Sequence, residues 1–214
     1  MSPTDPPLVQ TALVWLDLLG IAVFAISGAL LAARKHQTLV TFAFFALVTG
    51  VGGGTVRDLL IGAPVFWVHD SMIALACLVA AILVWLAPGT LWQRAAIDWF
   101  DAVGIAAYAV FGAAKALRYG IDPVPAAMMG VITACVGGVI RDVIAGEPSI
   151  IMRPELYVTA AALGSSLFIA LTLADMPLVP AAGIAFVAGF GLRALAIWKG
   201  LALPSYGLAR KEQP

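Results

Sequence analysis

Gly52-Gly53-Gly54-Thr55-Val56-Arg57-Asp58 sets flexible backbone beside an adjacent cation and anion in the middle of an apolar stretch. The motif returns 84 residues later as Gly137-Gly138-Val139-Ile140-Arg141-Asp142. The agreement runs unbroken from Thr49/Thr133 through Gly62/Gly146 to Pro64/Pro148, with seven of sixteen paired positions identical. The same spacing pairs Asp17 with Asp101, Gly20 with Gly104, Phe24 with Tyr108, Gly28 with Gly112 and Ala29 with Ala113. Self-similarity of that extent means one structural unit present twice.

Composition identifies the solvent. With 62% hydrophobic and 11% charged residues and a mean hydropathy of +1.01, the chain is too apolar for an ordinary soluble surface, so its surroundings are lipid. The formal net charge is zero and Lys/Arg cluster only in pairs, which argues against a nucleic-acid partner. Cys77 and Cys135 fall in apolar runs and read as small packed hydrophobes. His36 and His69 are isolated, so no metal-ligand spacing arises. The glycine run lacks the Lys-Ser/Thr of a phosphate-binding loop, and no nucleophile stands with a base. The expectation is therefore no enzyme and no cofactor. The first eleven residues hold no Lys or Arg, so the first apolar run reads as a retained span rather than a cleaved leader.

Apolar runs near the length that crosses a bilayer as helix fall at about 11–33, 39–61, 70–87, 99–117, 124–144, 154–174 and 179–198. The fold class expected is all-α, a polytopic membrane protein with seven transmembrane helices: two inverted three-helix repeats plus a seventh. Residues 1–89 form the first repeat, 90–98 a linker, 99–174 the second repeat, 175–203 the seventh helix and 204–214 a polar tail. Inversion follows from the odd number of spans per unit, since the second copy must enter from the opposite side. One face collects Arg34, Lys35, Arg94, Arg153, Lys199, Arg210 and Lys211, the other only Lys115 and Arg118. The positive-inside rule puts the N-terminus outside and the C-terminus in the cytoplasm.

Charge inside the spans is the functional signal. An Arg at a helix centre costs roughly 2.5–3.5 kcal/mol on insertion scales, so Arg57 and Arg141 should face a wet cavity or a paired anion. Asp58 and Asp142 are poor partners on helical geometry, because neighbouring residues point about 100° apart. Asp17, Asp101 or the opposite repeat's Asp offer alternatives, and interior bracing is the bland account of the whole set. Gly50 and Gly54 fit a small-xxx-small packing face, yet Gly52, Gly53 and Gly54 together are more glycine than packing needs. With Gly137 and Gly138 they predict broken or kinked second and fifth helices, whose freed carbonyls or amides attract ions. Lys115 breaks the symmetry, for its counterpart is Leu31; it lines the pathway or snorkels to headgroups. Phe24, Ser27 and Tyr108 complete the pore candidates, with core filling the plainer role for the rings.

The doubled Gly-Gly-x-x-Arg-Asp segments, each followed by Gly and Pro, together with two three-span units and an unpaired seventh span, resemble the prokaryotic TRIC family of trimeric intracellular cation channels. The resemblance implies a homotrimer with a pore inside each protomer, conducting monovalent cations, chiefly potassium, and second and fifth helices kinked at their glycines. It further implies a prokaryotic plasma-membrane protein in contact with lipids. The sequence departs at Val136, which stands opposite Gly52 and leaves repeat two with a stiffer pair, Gly137-Gly138. In that light Asp17, Asp58, Asp101 and Asp142 attract cations, Arg57 and Arg141 gate or brace, and Lys115 supplies a pore-side charge.

Two other classes stay open on sequence alone. Inverted repeats with broken helices also serve secondary transport of a small solute such as an amino acid, and a scaffold would use the charges only as braces. The orientation is testable directly: in single-cysteine variants, Lys211→Cys should label with an impermeant reagent from the cytoplasmic side and Asp5→Cys from the outer side.

Overall fold

The computed structural model describes residues 7–87, 89 and 94–204, without the side chains of 7–13, 16 and 94. Expectations for 1–6, 88, 90–93 and 205–214, including part of the linker and nearly all of the tail, fall outside the described residues. Among the described residues there are seven α-helices: α1 Pro7–Arg34, α2 Leu39–Leu60, α3 Ser71–Leu86, α4 Arg94–Arg118, α5 Pro123–Ile144, α6 Val158–Leu173 and α7 Leu178–Lys199. A short 3-10 turn, Ile150–Met152, precedes α6. The chain is an all-α polytopic membrane protein. Five helices are long and apolar enough to cross a membrane, while α3 and α6 are apolar but only 16 residues each, about 24 Å of helix.

The repeat is visible residue by residue. α2 and α5 have bounds 84 apart at both ends, whereas α3 and α6 stand 87 apart. The three additional residues lie in the segment between α5 and α6. Helix ends repeat too. After α2, Gly62 and Ala63 donate to the carbonyls of Leu59 and Asp58; after α5, Gly146 and Glu147 donate to those of Val143 and Asp142. After α4, Gly120 (φ 76°) takes the left-handed position that closes a helix, and at the matching place after α1 stands His36 (φ 52°). Thr38 caps α2 by accepting from the Thr41 amide, and Asp70 caps α3 by accepting from Met72.

α1 and α4 pack against each other and are the most enclosed of the long helices; α7, packed on α4 and α6, is the least. Phe24 and Tyr108 meet between α1 and α4, their ring centroids 5.5 Å apart. The Tyr108 ring lies on Gly20, where a Cβ would come within 2.5 Å, and the Phe24 ring on Gly104, at 3.0 Å. Both rings are buried and fill the core, the plainer of the two expected roles. Outward faces remain apolar, as on α3 with Met72, Leu75, Leu78, Val79 and Leu83, which suits a lipid solvent.

α2 and α5 cross at the pseudo-two-fold axis, and the crossing corrects the reading of the glycines. Both helices run without interruption through 52–54 and 137–138. A Cβ on Gly53 would overlap the Thr133 carbonyl oxygen; one on Gly137 would lie 2.5 Å from the Thr49 carbonyl oxygen. Thr49 and Thr133 are themselves paired by the repeat, so each helix places its glycine under the other's backbone. The glycines serve close approach, and the continuous helices leave no freed backbone there to bind an ion. Three span starts also shift: α1 begins at Pro7 rather than near 11, α4 at Arg94 rather than near 99, and α6 at Val158 rather than near 154, the last because the turn at 150–152 and the Pro154 bend occupy the chain before it.

Gly53→Ala and Gly137→Ala should each destabilise the fold by about 1–3 kcal/mol through overpacking against backbone. Gly52→Ala should cost far less, since its Cβ would meet the movable Ile140 Cδ1 at 3.2 Å. Thermal unfolding of the purified variants in detergent measures the difference.

Candidate functional site

Two clusters of buried charge lie at opposite ends of the α2–α5 pair. In repeat two, Arg141 is only 3% exposed. Its Nε donates to Asp142 Oδ1 at 2.9 Å and its Nη1 to Asp101 Oδ1 at 2.8 Å. Nη1 also donates to the Ser27 hydroxyl, which itself donates to Asp101 Oδ1 at 2.5 Å. Asp142 Oδ2 accepts from the Ile150 amide at 2.9 Å. Helices α1, α4 and α5 are thus tied at one guanidinium, and charge-assisted bonds of this kind are about twice as strong as neutral ones.

Repeat one opens the same way and then diverges. Arg57 is fully buried, its Nε donating to Asp58 Oδ1 at 2.9 Å, and Asp58 Oδ2 accepts from the Phe66 amide at 3.1 Å. Phe66 is the repeat counterpart of Ile150. Where the Arg141 cluster has Ser27, the Arg57 cluster has Phe111 at the matching position, and the Arg57 guanidinium lies over that ring at 5.2 Å. Asp17 does not do for Arg57 what Asp101 does for Arg141: Asp17 Oδ1 and Arg57 Nη1 are both buried without a hydrogen-bond partner among the described residues. Lys115 joins this cluster on the side of the anion, its Nζ 2.8 Å from Asp58 Oδ1.

Several expectations change accordingly. Arg57 pairs with Asp58, and Arg141 with Asp142, despite the 100° between neighbouring Cβ directions; the long Arg stem folds back so that Nε, not the terminal nitrogens alone, reaches the carboxylate. Asp101 joins Arg141 as expected among the alternatives. Lys115 turns inward to Asp58 rather than snorkelling, its side chain 18% exposed. Both guanidinium groups are met by paired anions, which answers their burial.

Other participants escaped the sequence reading. The Phe66 and Ile150 amides were legible in principle, since the 84-residue spacing pairs them. Tyr157, Glu155 and Arg193 were not: Arg193, on the helix outside the repeat, pairs with Glu155 at 2.7 Å and covers the Tyr157 ring. At the end where Arg141 lies, a cavity of about 30 Å³, room for about one water, is lined by Arg34, Asp98, Arg141, Asp142, Glu147 and Arg153. Glu147 also meets Lys35 at 2.6 Å, joining the two repeats, and the hydrogen bond and charge of Lys35 hold its carboxyl below the usual Glu range.

The chain is similar to known membrane proteins over most of its length. The family model described as "Glycine transporter" matches residues 14–88 and 98–173. A UPF0126 membrane protein of Vibrio cholerae is 41% identical over 162 residues, 73% of this chain and 67% of its own. The UPF0126 inner membrane protein YadS of Escherichia coli is 38% identical over 199 residues, 91% of this chain and 96% of its own. Among solved structures, the TRIC trimeric intracellular cation channel orthologue from Rhodobacter sphaeroides superposes with a TM-score of 0.84 at 42% identity, covering 90% of this chain and 100% of that one. A prokaryotic TRIC channel crystallised in 0.5 M KCl gives a TM-score of 0.83 at 28% identity, covering 91% and 100%. A trimeric intracellular cation channel from C. elegans, 16% identical with a TM-score of 0.58, shares the fold.

Arg141→Gln strands two carboxylates in the interior and should cost about 3–5 kcal/mol, as buried pairs do when one partner is removed; Ser27→Ala should cost clearly less. Unfolding in detergent ranks them. At the surface, the Lys35–Glu147 pair contributes above the unfolded Glu range and is lost as pH falls through the depressed folded value. In Lys35→Ala the Glu147 carboxyl should titrate higher than in the parent, read by carboxyl NMR.

Proposed function

The chain belongs to the TRIC family of membrane proteins, and from that membership we propose that it is a passive channel for monovalent cations, potassium first among them. One pore runs within each protomer of a homotrimer. The protein lies in the inner membrane of a prokaryote with its N-terminus outside and its C-terminus in the cytoplasm. Movement of α2 against α5 gates it.

The observation that carries this reading is the pair of charge clusters at the two ends of one glycine-tight crossing. An ion moving along that axis meets Asp58 with Arg57 and Lys115 at one end, and Asp101 and Asp142 with Arg141 at the other. Carboxylates at both ends favour cations, and the guanidinium and ammonium groups hold them closed until the helices part. Asp17 Oδ1 and Asp101 Oδ2, buried without a hydrogen-bond partner among the described residues, are the carboxylate oxygens left to meet a dehydrating cation. The names of the structural neighbours support the cation and the trimer. The basic residues described at one end, Arg34, Lys35, Arg153 and Lys199, support the orientation.

A second reading, secondary transport of a small amino acid, draws on the description of the matched family model and on the inverted repeat. Planar-bilayer recording under a potassium gradient separates them. Unitary currents reversing near the potassium potential support the channel; saturable glycine uptake into proteoliposomes without such currents overturns it. Lys115→Ala removes one charge-assisted bond of about 1.5–3 kcal/mol from the closed arrangement and should raise open probability by about tenfold or more, measured in the same bilayers.

A further inference from the structure

Each half of the molecule seats an aromatic side chain on the last glycine of its motif, by a ring edge in repeat one and by a hydroxyl in repeat two. In repeat one a Cβ on Gly54 would lie 2.6 Å from Phe66 Cε1; in repeat two a Cβ on Gly138 would lie 2.6 Å from the Tyr157 hydroxyl oxygen. Both rings carry cations. Phe66 has the Arg57 guanidinium and the Lys115 ammonium, each 5.7 Å from its centroid, and Tyr157 has the Arg193 guanidinium at 5.5 Å.

The two rings do not come from matching positions. Ile150 occupies the place of Phe66, and the ring of repeat two arrives seven residues later, beyond the 3-10 turn. The cations differ as well: Lys115 comes from α4, whereas Arg193 comes from α7, the helix that the repeat does not contain. Arg193 is 1% exposed and held by Glu155, whose backbone forms an antiparallel bridge with Ala202, while the Leu203 amide donates to the Pro154 carbonyl at 2.6 Å. Loop and α7 are therefore locked to each other beside α5. Arg141 lies next to this seat, its Nη2 3.7 Å from the same would-be Cβ on Gly138.

We propose that Arg193 and Tyr157 form a second, α7-borne clamp on α5, the counterpart of Lys115 and Phe66 on α2, and that it restrains the Arg141 cluster at the basic end. Arg193 is a positioning residue: it acts on α5 through Tyr157 and touches no permeating ion. This rests on the channel reading above for its effect on current, but the clamp itself can be read without current. A ring pinned between a buried cation and a glycine cannot leave α5 while Arg193 holds it, and a desolvated cation over an aromatic face is a strong restraint. Loosening it frees α5 at one end only.

The test uses Cys135, one turn deeper on α5 than Gly138 and 5% exposed, as reporter in a Cys77→Ala background. Arg193→Gln and Tyr157→Leu should each speed modification of Cys135 by an impermeant thiol reagent at least about tenfold when it is applied at the basic end, with little change from the other end. Arg193→Lys should stay near the parent rate. In bilayers the same two variants should raise open probability several-fold at unchanged unitary conductance and reversal potential. Folded Arg193→Gln protein with parental Cys135 protection from both ends overturns the clamp, and so does equal acceleration from both ends. If Arg193→Gln does not fold, Glu155→Gln, at a side chain 34% exposed, is read by the same rates and the same criteria. A parent protein that passes no cation current overturns the channel reading, while the thiol rates still decide the clamp.

Discussion

A guanidinium in a lipid-embedded bundle needs an anion within reach, and this requirement organises the molecule twice over. Arg57 and Arg141 are each answered by the aspartate that follows them, and each of those aspartates also accepts the backbone amide eight residues on. That second bond folds the chain after α2 and after α5 back over the helix end. The charge pair is thus also the device that closes the loop over the helix end.

The close approach of α2 and α5 makes the arrangement compact enough to share partners between repeats. Because Gly53 and Gly137 let backbone lie against backbone, Ser27 of the first unit reaches Arg141 of the second, and Lys115 of the second reaches Asp58 of the first. Each cluster is built from both copies. Each guanidinium finds its carboxylates within its own unit, and the other unit adds a hydroxyl at one cluster and an ammonium at the other, which ties the two copies together.

Much of this was written in the pattern of residues. The 84-residue spacing foretold the matching helix ends of α2 and α5 and the inverted architecture, and it aligned Phe24 with Tyr108 without foretelling that their rings would meet. Three things were hidden, each for a physical reason. Consecutive glycines look like a break because intrinsic helix propensity is low there, but tertiary contact with Thr49 and Thr133 offsets it, and the helices continue. Helical-wheel geometry counts Cβ directions, so it rejected the Arg57–Asp58 pair that a long flexible stem makes easily. Arg193 and Tyr157 lie beyond the point where the repeat loses its spacing, and their meeting depends on how α7 packs, which no internal comparison of the two copies contains.

The three residues added before α6 alter more than a loop length. They free repeat two from placing its ring where repeat one does, and they carry the chain out to a helix that the first unit lacks. The duplicated halves thereby carry different fastenings, lysine and phenylalanine at one end of the α2–α5 pair, arginine and tyrosine at the other. Two ends that the repeat alone would make alike thus differ in chemistry, and the molecule has a front and a back.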